Sequence, residues 1–233
     1  MLKHILYLRR RLTLLSQIPW VEYGVKLRTI AKVKPYTMMS WLRLASLYDL
    51  AKEIGKNEVE GCVVECGVWN GGSGAMLGSV SRLFGTDRDL WLFDSFAGLP
   101  EPTGHDVAIT GKKGKAGAAR GSESLVKEVC FKVMRLFPSK VHIVKGWFQN
   151  TIPNVSPQIG SIAVLHLDCD WYESVTYCLD ALYDKVVKGG IVVVDDYGYF
   201  QGCKKAVDEF LQKKRIPACV VKTEESAVYF RKV

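Results

Sequence analysis

From about residue 58 the chain alternates short, nearly continuous apolar runs with longer stretches whose apolar residues recur at helical spacing. The runs GCVVECG (61–67), LWLFD (90–94), VHIVKG (141–146), IAVLHLD (162–168) and GIVVVDD (190–196) read as strands. Runs with no polar alternation suit strands covered on both faces, and strand–helix alternation implies a parallel sheet. Helices are expected through Met76, Leu77, Val80, Leu83 and Phe84, through Leu125, Val129, Val133, Met134 and Phe137, from about Ser174 to Val187, and through Ala206, Val207, Phe210 and Leu211. The last two runs, ACVVKT (218–223) and AVYFRK (227–232), lie too close together for a crossover helix. They fit a hairpin, so one late strand should be antiparallel. The pattern predicts an α/β domain over residues 58–233, built on a doubly wound, mostly parallel seven-stranded sheet with one antiparallel strand. Residues 1–57 form an N-terminal helical extension or cap.

Between Phe96 and Ser122 the pattern fails. AGLPEPTGHDVAITGKKGKAGAARG is long, glycine-rich and locally basic, through Lys112, Lys113, Lys115 and Arg120. Long segments of this kind in compact domains commonly cover binding sites, so residues 97–121 are expected to form a mobile lid.

Charge is uneven. The net charge is +8, yet residues 1–35 alone hold eight lysines and arginines against Glu22, which leaves the body near neutrality. The first seventeen residues, MLKHILYLRRRLTLLSQ, place Leu2, Ile5, Leu6, Leu8, Leu12 and Leu15 at roughly helical spacing around Arg9, Arg10 and Arg11. The arginines break the apolar run and no small-residue cleavage site follows, which argues against a secretory signal. An amphipathic basic helix fits either a membrane surface or a partner subunit. Peripheral membrane contact and a homo-oligomer are both expectations on this basis. The seven scattered cysteines form no CxxC pair, and this points to a reducing, cytoplasmic setting.

The strand ends carry the candidate chemistry, because ligands of open α/β sheets bind at the carboxyl edge. The first run leads into Glu65-Cys66-Gly67-Val68-Trp69-Asn70-Gly71. Trp69 stands where the dinucleotide fingerprint G-x-G-x-x-G requires its second glycine, so that site is excluded. The motif reads instead as E-x-G-x-x-x-G, with Asp94 at the next strand end able to accept both ribose hydroxyls of a nucleoside. Asp168, Asp170, Asp195 and Asp196 gather at the ends of two further strands. Carboxylates this close repel one another unless a cation or a shared proton intervenes. Hard oxygen donors suit Mg2+ or Mn2+. Asp168, Asp195 and Asp196 are the candidate ligands, whereas Asp170 suits a helix cap as well as it suits catalysis. His105, in the lid segment, is a minor candidate for proton transfer. His166 is expected to face away from Asp168. Trp69, Trp147 and Trp171 fall at strand ends and could stack on ligands, Trp147 foremost. Cys66 and Cys169 read as small buried hydrophobes.

VECGVWNGGS (64–73), FDSFAGLP (93–100), HLDCDWYES (166–174) and VVDDYGYFQGCKKAVDEF (193–210) together resemble the macrocin O-methyltransferase family, from about Tyr36 to Phe210. The resemblance implies a Rossmann-like, class I S-adenosylmethionine-dependent methyltransferase acting on sugar hydroxyls. It implies metal binding by Asp168, Asp195 and Asp196, with Asp168 also the general base. It places Glu65 and Gly67 at the methionine end of S-adenosyl-L-methionine and Asp94 with Ser95 at the ribose. Gly146 and Trp147, followed by Phe148, fall near the adenine. Thr37 and Met38 form an N-terminal flap, and Asn70, Ser73 and Asp168 complete the cofactor-binding set. The expected partner is a small-molecule or glycan hydroxyl acceptor. A catechol-like phenol acceptor is the alternative within the same chemistry. An RNA-binding or RNA-modifying protein is the alternative outside it, although nucleic acid is disfavoured because no RNA-binding motif appears.

Overall fold

The computed structural model describes residues 19–217 and 219–233, so the basic helix expected over residues 1–17, with its proposed membrane contact, lies outside the described residues. Two helices come first, α1 (Pro19–Val33) and α2 (Trp41–Lys56). Strand and helix then alternate through β1 (Cys62–Cys66), α3 (Gly72–Leu83), β2 (Leu90–Asp94), α4 (Glu123–Glu128, continued by a π-helical turn over Val129–Val133), β3 (Val141–Lys145) and α5 (Phe148–Ile159). The chain ends with β4 (Ile162–Leu167), α6 (Tyr172–Leu182), β5 (Val186–Val194), α7 (Gln201–Lys214), β6 (Val221–Lys222) and β7 (Val228–Arg231).

The seven strands lie in the order β3-β2-β1-β4-β5-β7-β6. The first five pair in parallel, and β7 runs antiparallel to both β5 and β6. This is the doubly wound sheet with one antiparallel strand that the apolar runs predict. Strand alternation splits the core in two. Val63, Leu90, Leu92, Val164 and Ile191 pack on one face with α1, α2 and α3. Val64, Phe93, Leu165, Val192 and Val194 pack on the other with residues of α5, α6 and α7. Each fully buried Leu, Val or Phe contributes about 1.5–3 kcal/mol relative to exposure, so both faces of the sheet stabilise the strands that carry the site.

Two boundaries differ from the sequence pattern. The helix after β4 stops at Leu182, and after one 3-10 turn β5 begins at buried Val186, so that exposed Lys188 and the two glycines Gly189 and Gly190 belong to the strand and not to the helix. Helix α5 was not expected at all. It contains Pro153 and Pro157, which lack the N–H of a regular helical turn and mask its periodicity.

The segment over 97–121 is not structureless. Val107 bridges Lys113, Ala108 bridges Phe200, and the backbone of Ile109 donates to Tyr199 O at 2.9 Å. Gly114 packs so closely on the Trp171 indole that a Cβ there would lie 2.6 Å from it. Buried Asp106 accepts from the Tyr172 N–H at 2.8 Å and from both the N–H and Oγ1 of Thr103 at 2.7 Å. The loop thereby caps the first turn of α6.

Candidate active site

The sheet's strand order reverses between β1 and β4, so the crevice above their carboxyl ends is the natural ligand site. The two ends meet at Gly67. Its φ of 88° is left-handed, and a Cβ on it would sit 1.9 Å from the Asp168 carbonyl oxygen. Only glycine lets the backbones approach this closely, with Asp168 N donating to Cys66 O at 2.9 Å. The loop that follows is held from the neighbouring strand. Asp94 Oδ2 accepts from the N–H groups of Val68 and Trp69 at 2.8 and 2.9 Å, and Oδ1 accepts from Phe96 N at 2.7 Å.

Above this floor lies a cavity of about 260 Å3. Of the residues expected to bind the cofactor, Gly67, Asp94, Ser95, Gly146, Trp147 and Asp168 line it, and exposed Met38 reaches it from the N-terminal segment. Leu99, Pro100 and Ala119 of the 97–121 segment line it too. Four expected cofactor residues do not. Thr37 is buried with Oγ1 accepting from Met39 N at 3.2 Å. Asn70 Oδ1 accepts from Ser122 N at 3.0 Å and anchors the start of α4. Ser73 is buried in the first turn of α3. Glu65 is fully buried beneath that helix, its Oε1 2.9 Å from His166 Nδ1.

On the opposite wall of the cavity stand the acids. One carboxylate oxygen from each of Asp168, Asp195 and Asp196 falls within 4.8 Å of the others. Burial and then the Asp196 charge push the Asp168 carboxyl up to about 7. Burial, Asp196 and Asp168 raise Asp170 well above the carboxylate range. Such mutual destabilisation among hard oxygen donors is relieved by a divalent cation, and the donor set fits Mg2+ or Mn2+. Asp170 does not cap α6: the N-cap position is Trp171, and Asp170 takes a left-handed backbone at φ 59° where the Asp196 charge acts on it.

Arg43 is the site residue that sequence reasoning missed. From the first turn of α2 its Nε donates to Asp195 Oδ1 at 2.9 Å, Nη2 pairs with Asp195 Oδ2, and Asp196 Oδ1 lies 3.8 Å from Nη2. Its charge opposes the upward shifts of Asp168 and Asp170. His105 does not join the cavity; it is exposed, with Nε2 3.0 Å from Lys205 Nζ and its ring against Tyr172. Trp171 is buried under the loop, whereas Trp69 lines the cavity beside Trp147. The expected orientation of His166 is corrected: a strand period of two puts residues 166 and 168 on one side, and His166 feels the Asp168 charge. Cys66 and Cys169 are buried, as expected.

Comparison with known proteins gives the family. The sequence profile of the macrocin O-methyltransferase family matches residues 11–232. The chain belongs to the macrocin O-methyltransferase family. Like its relatives, this macrocin O-methyltransferase family member is an S-adenosylmethionine-dependent O-methyltransferase. It is 35% identical over 202 residues to demethyldecarbamoylnovobiocin O-methyltransferase of Streptomyces niveus, which spans 84% of this chain and 76% of that protein. It is 32% identical over 200 residues to the 8-demethyl-8-(2,3-dimethoxy-alpha-L-rhamnosyl)-tetracenomycin-C 4'-O-methyltransferase of Streptomyces olivaceus, covering 84% and 75% of the two chains. Among solved structures it superposes on the O-methyltransferase NovP with a TM-score of 0.75 and 33% identity, covering 85% of this chain and 82% of NovP.

Proposed function

We propose that this enzyme methylates a hydroxyl of a sugar or glycoside with a divalent cation, Mg2+ or Mn2+, held by Asp168, Asp195 and Asp196. The observation that carries the reading is the convergence of these three carboxylates on the wall of the cavity that Gly67, Asp94 and Trp147 also line. The acceptor class follows from the relatives, one of which is named for the 4'-hydroxyl chemistry of a rhamnosyl group.

A sugar hydroxyl is a poor nucleophile at neutral pH. A divalent cation in this acidic cluster stabilises negative charge on an oxygen that is losing its proton. S-Adenosylmethionine, held in the cavity that Gly67, Asp94 and Trp147 line, would supply the methyl group from its sulfonium and be released as S-adenosylhomocysteine. Asp168 accepts the hydroxyl proton as the new C–O bond forms and the S–CH3 bond breaks. Its place at the end of β4, one backbone hydrogen bond from Cys66 O, sets that carboxyl beside the cofactor floor. Asp94 holds the floor itself by fixing the N–H groups of Val68 and Trp69. Met38 and Trp147 line the cavity at its exposed side.

The test is transfer of labelled methyl to a panel of deoxysugar glycosides and catechols, with Asp168→Asn in parallel at saturating Mg2+. Methylation of a glycoside hydroxyl, slowed about 100-fold or more by the substitution, supports the reading. Full activity of Asp168→Asn removes Asp168 from the base role, and methylation of catechols alone removes the sugar acceptor.

A further inference from the structure

Arg43 comes from an element that carries none of the acidic cluster. It sits in the first turn of α2, where its own backbone N–H donates to the N-cap Ser40 Oγ at 3.1 Å. The guanidinium is therefore projected from a capped, defined helix end. It meets Asp195 with a two-pronged contact, Nε to Oδ1 and Nη2 to Oδ2, while Nη2 also faces Asp196. Asp195 is 1% exposed, and among the described residues the hydrogen bonds to its carboxylate come from Arg43.

We infer that Arg43 is a positioning residue of the metal site: it fixes the Asp195 carboxylate for cation binding. The inference rests on the metal reading above. An ionised carboxylate offers about four lone-pair sites, so a forked arginine leaves Asp195 free to ligate. Asp168, Asp170, Asp195 and Asp196 all line the cavity, and Arg43 lines it with them. Hydrogen-bonded partners of metal-ligating groups set ligand orientation and basicity, and their loss weakens metal binding without removing a ligand. The arrangement also gives the N-terminal segment a second task. The stretch that brings Met38 and Met39 to the cavity brings, a few residues on, the group that orients a ligand 152 residues later in the chain.

Binding of Mn2+ to the full chain, read from the free-ion electron paramagnetic resonance signal, tests this. Wild type, Arg43→Gln, Arg43→Lys and Asp196→Asn are compared, each shown by circular dichroism to be folded. Arg43→Gln should weaken Mn2+ binding by about 10- to 100-fold although all three ligands remain. Arg43→Lys, which keeps the charge and loses the planar fork, should fall between it and wild type. If Arg43→Gln does not fold, the Arg43→Lys loss alone carries the test. Mn2+ affinity equal to or tighter than wild type in folded Arg43 variants overturns the inference and makes Arg43 a bystander or a competitor of the ion. Absence of Mn2+ binding by wild type overturns the metal reading and this inference with it, whereas binding by wild type that Asp196→Asn weakens places the ion at this cluster and leaves the Arg43 variants to decide the inference.

Discussion

Glu65 and His166 are register partners on β1 and β4, and Glu65 Oε1 lies 2.9 Å from His166 Nδ1 with both side chains fully buried. Burial acts to lower the histidine's pKa, but the adjoining Glu65 carboxylate outweighs it and holds the imidazole above the usual histidine range. The pair sits beneath the first turns of α3, where a Cβ at Gly74 would lie 2.4 Å from Glu65 Oε2. It therefore braces the floor of the crevice from below. Glu65→Ala leaves the buried His166 ring nitrogen without its hydrogen-bond partner, and the expected loss is about 1–3 kcal/mol of unfolding free energy in urea titration. A loss below about 1 kcal/mol would mean the pair is not the brace described.

Asp94 acts through the backbone. Three N–H groups converge on its two oxygens, so removing the carboxylate releases the loop over Val68–Trp69 as well as the turn at Phe96. Hydrogen bonds to a charged acceptor contribute about 1.5–3 kcal/mol each. Asp94→Ala should weaken S-adenosylhomocysteine binding by at least about tenfold in isothermal titration, the equivalent of about 1.4 kcal/mol. Asp94→Asn, which keeps one acceptor oxygen, should lose less. Equal affinity in all three proteins contradicts this role.

Asp106 joins the 97–121 segment to α6 by accepting from Tyr172 N, a helix N-terminal group with no other side-chain cap. Asp106→Ala should cost about 1–2 kcal/mol and speed proteolysis within the segment. Unchanged cleavage would show that the bridges to Phe200 and Lys113 suffice to hold it.

The docking of α1 on α2 is acid-sensitive. Burial works to raise the Glu22 carboxyl, but Lys52 and Lys56 prevail and hold it below its ordinary value of 4.5. A carboxyl depressed in the folded state contributes stability above its unfolded pKa and loses it as pH falls through the folded one. Amide protection in α1, corrected for intrinsic exchange, should therefore drop as pH falls below the ordinary carboxyl value of 4.5, and Glu22→Gln should abolish that dependence. Protection that rises in acid would reverse the sign and contradict the account.

Much of this is legible in the sequence. The five parallel strands are apolar runs long enough to declare themselves, and Asp168, Asp195 and Asp196 stand where two of those runs stop. What the pattern hides is whatever depends on contacts remote in the chain. Arg43 reaches Asp195 across 152 residues, and Asp106 caps a helix 66 residues on, so neither has a local signature. Helix α5 escapes because Pro153 and Pro157 interrupt the cues that mark helices elsewhere. The side on which His166 lies was readable from strand period alone, since residues 164, 166 and 168 share a face. Thr37, Asn70 and Ser73 fall in the right motifs, yet hydrogen bonding and helix packing turn them toward the protein.

The central claim is methyl transfer to a sugar hydroxyl that depends on a divalent cation at Asp168, Asp195 and Asp196. The most direct measurement is labelled-methyl turnover of a glycoside acceptor by enzyme stripped with a chelator, before and after Mg2+ or Mn2+ is restored, with the methylated atom located in the product. The account predicts that stripping abolishes turnover, that the cation restores it in wild type but not in Asp196→Asn, and that the methyl resides on a sugar oxygen. Undiminished turnover in the stripped enzyme, or a methyl on a phenol or nitrogen, would contradict it.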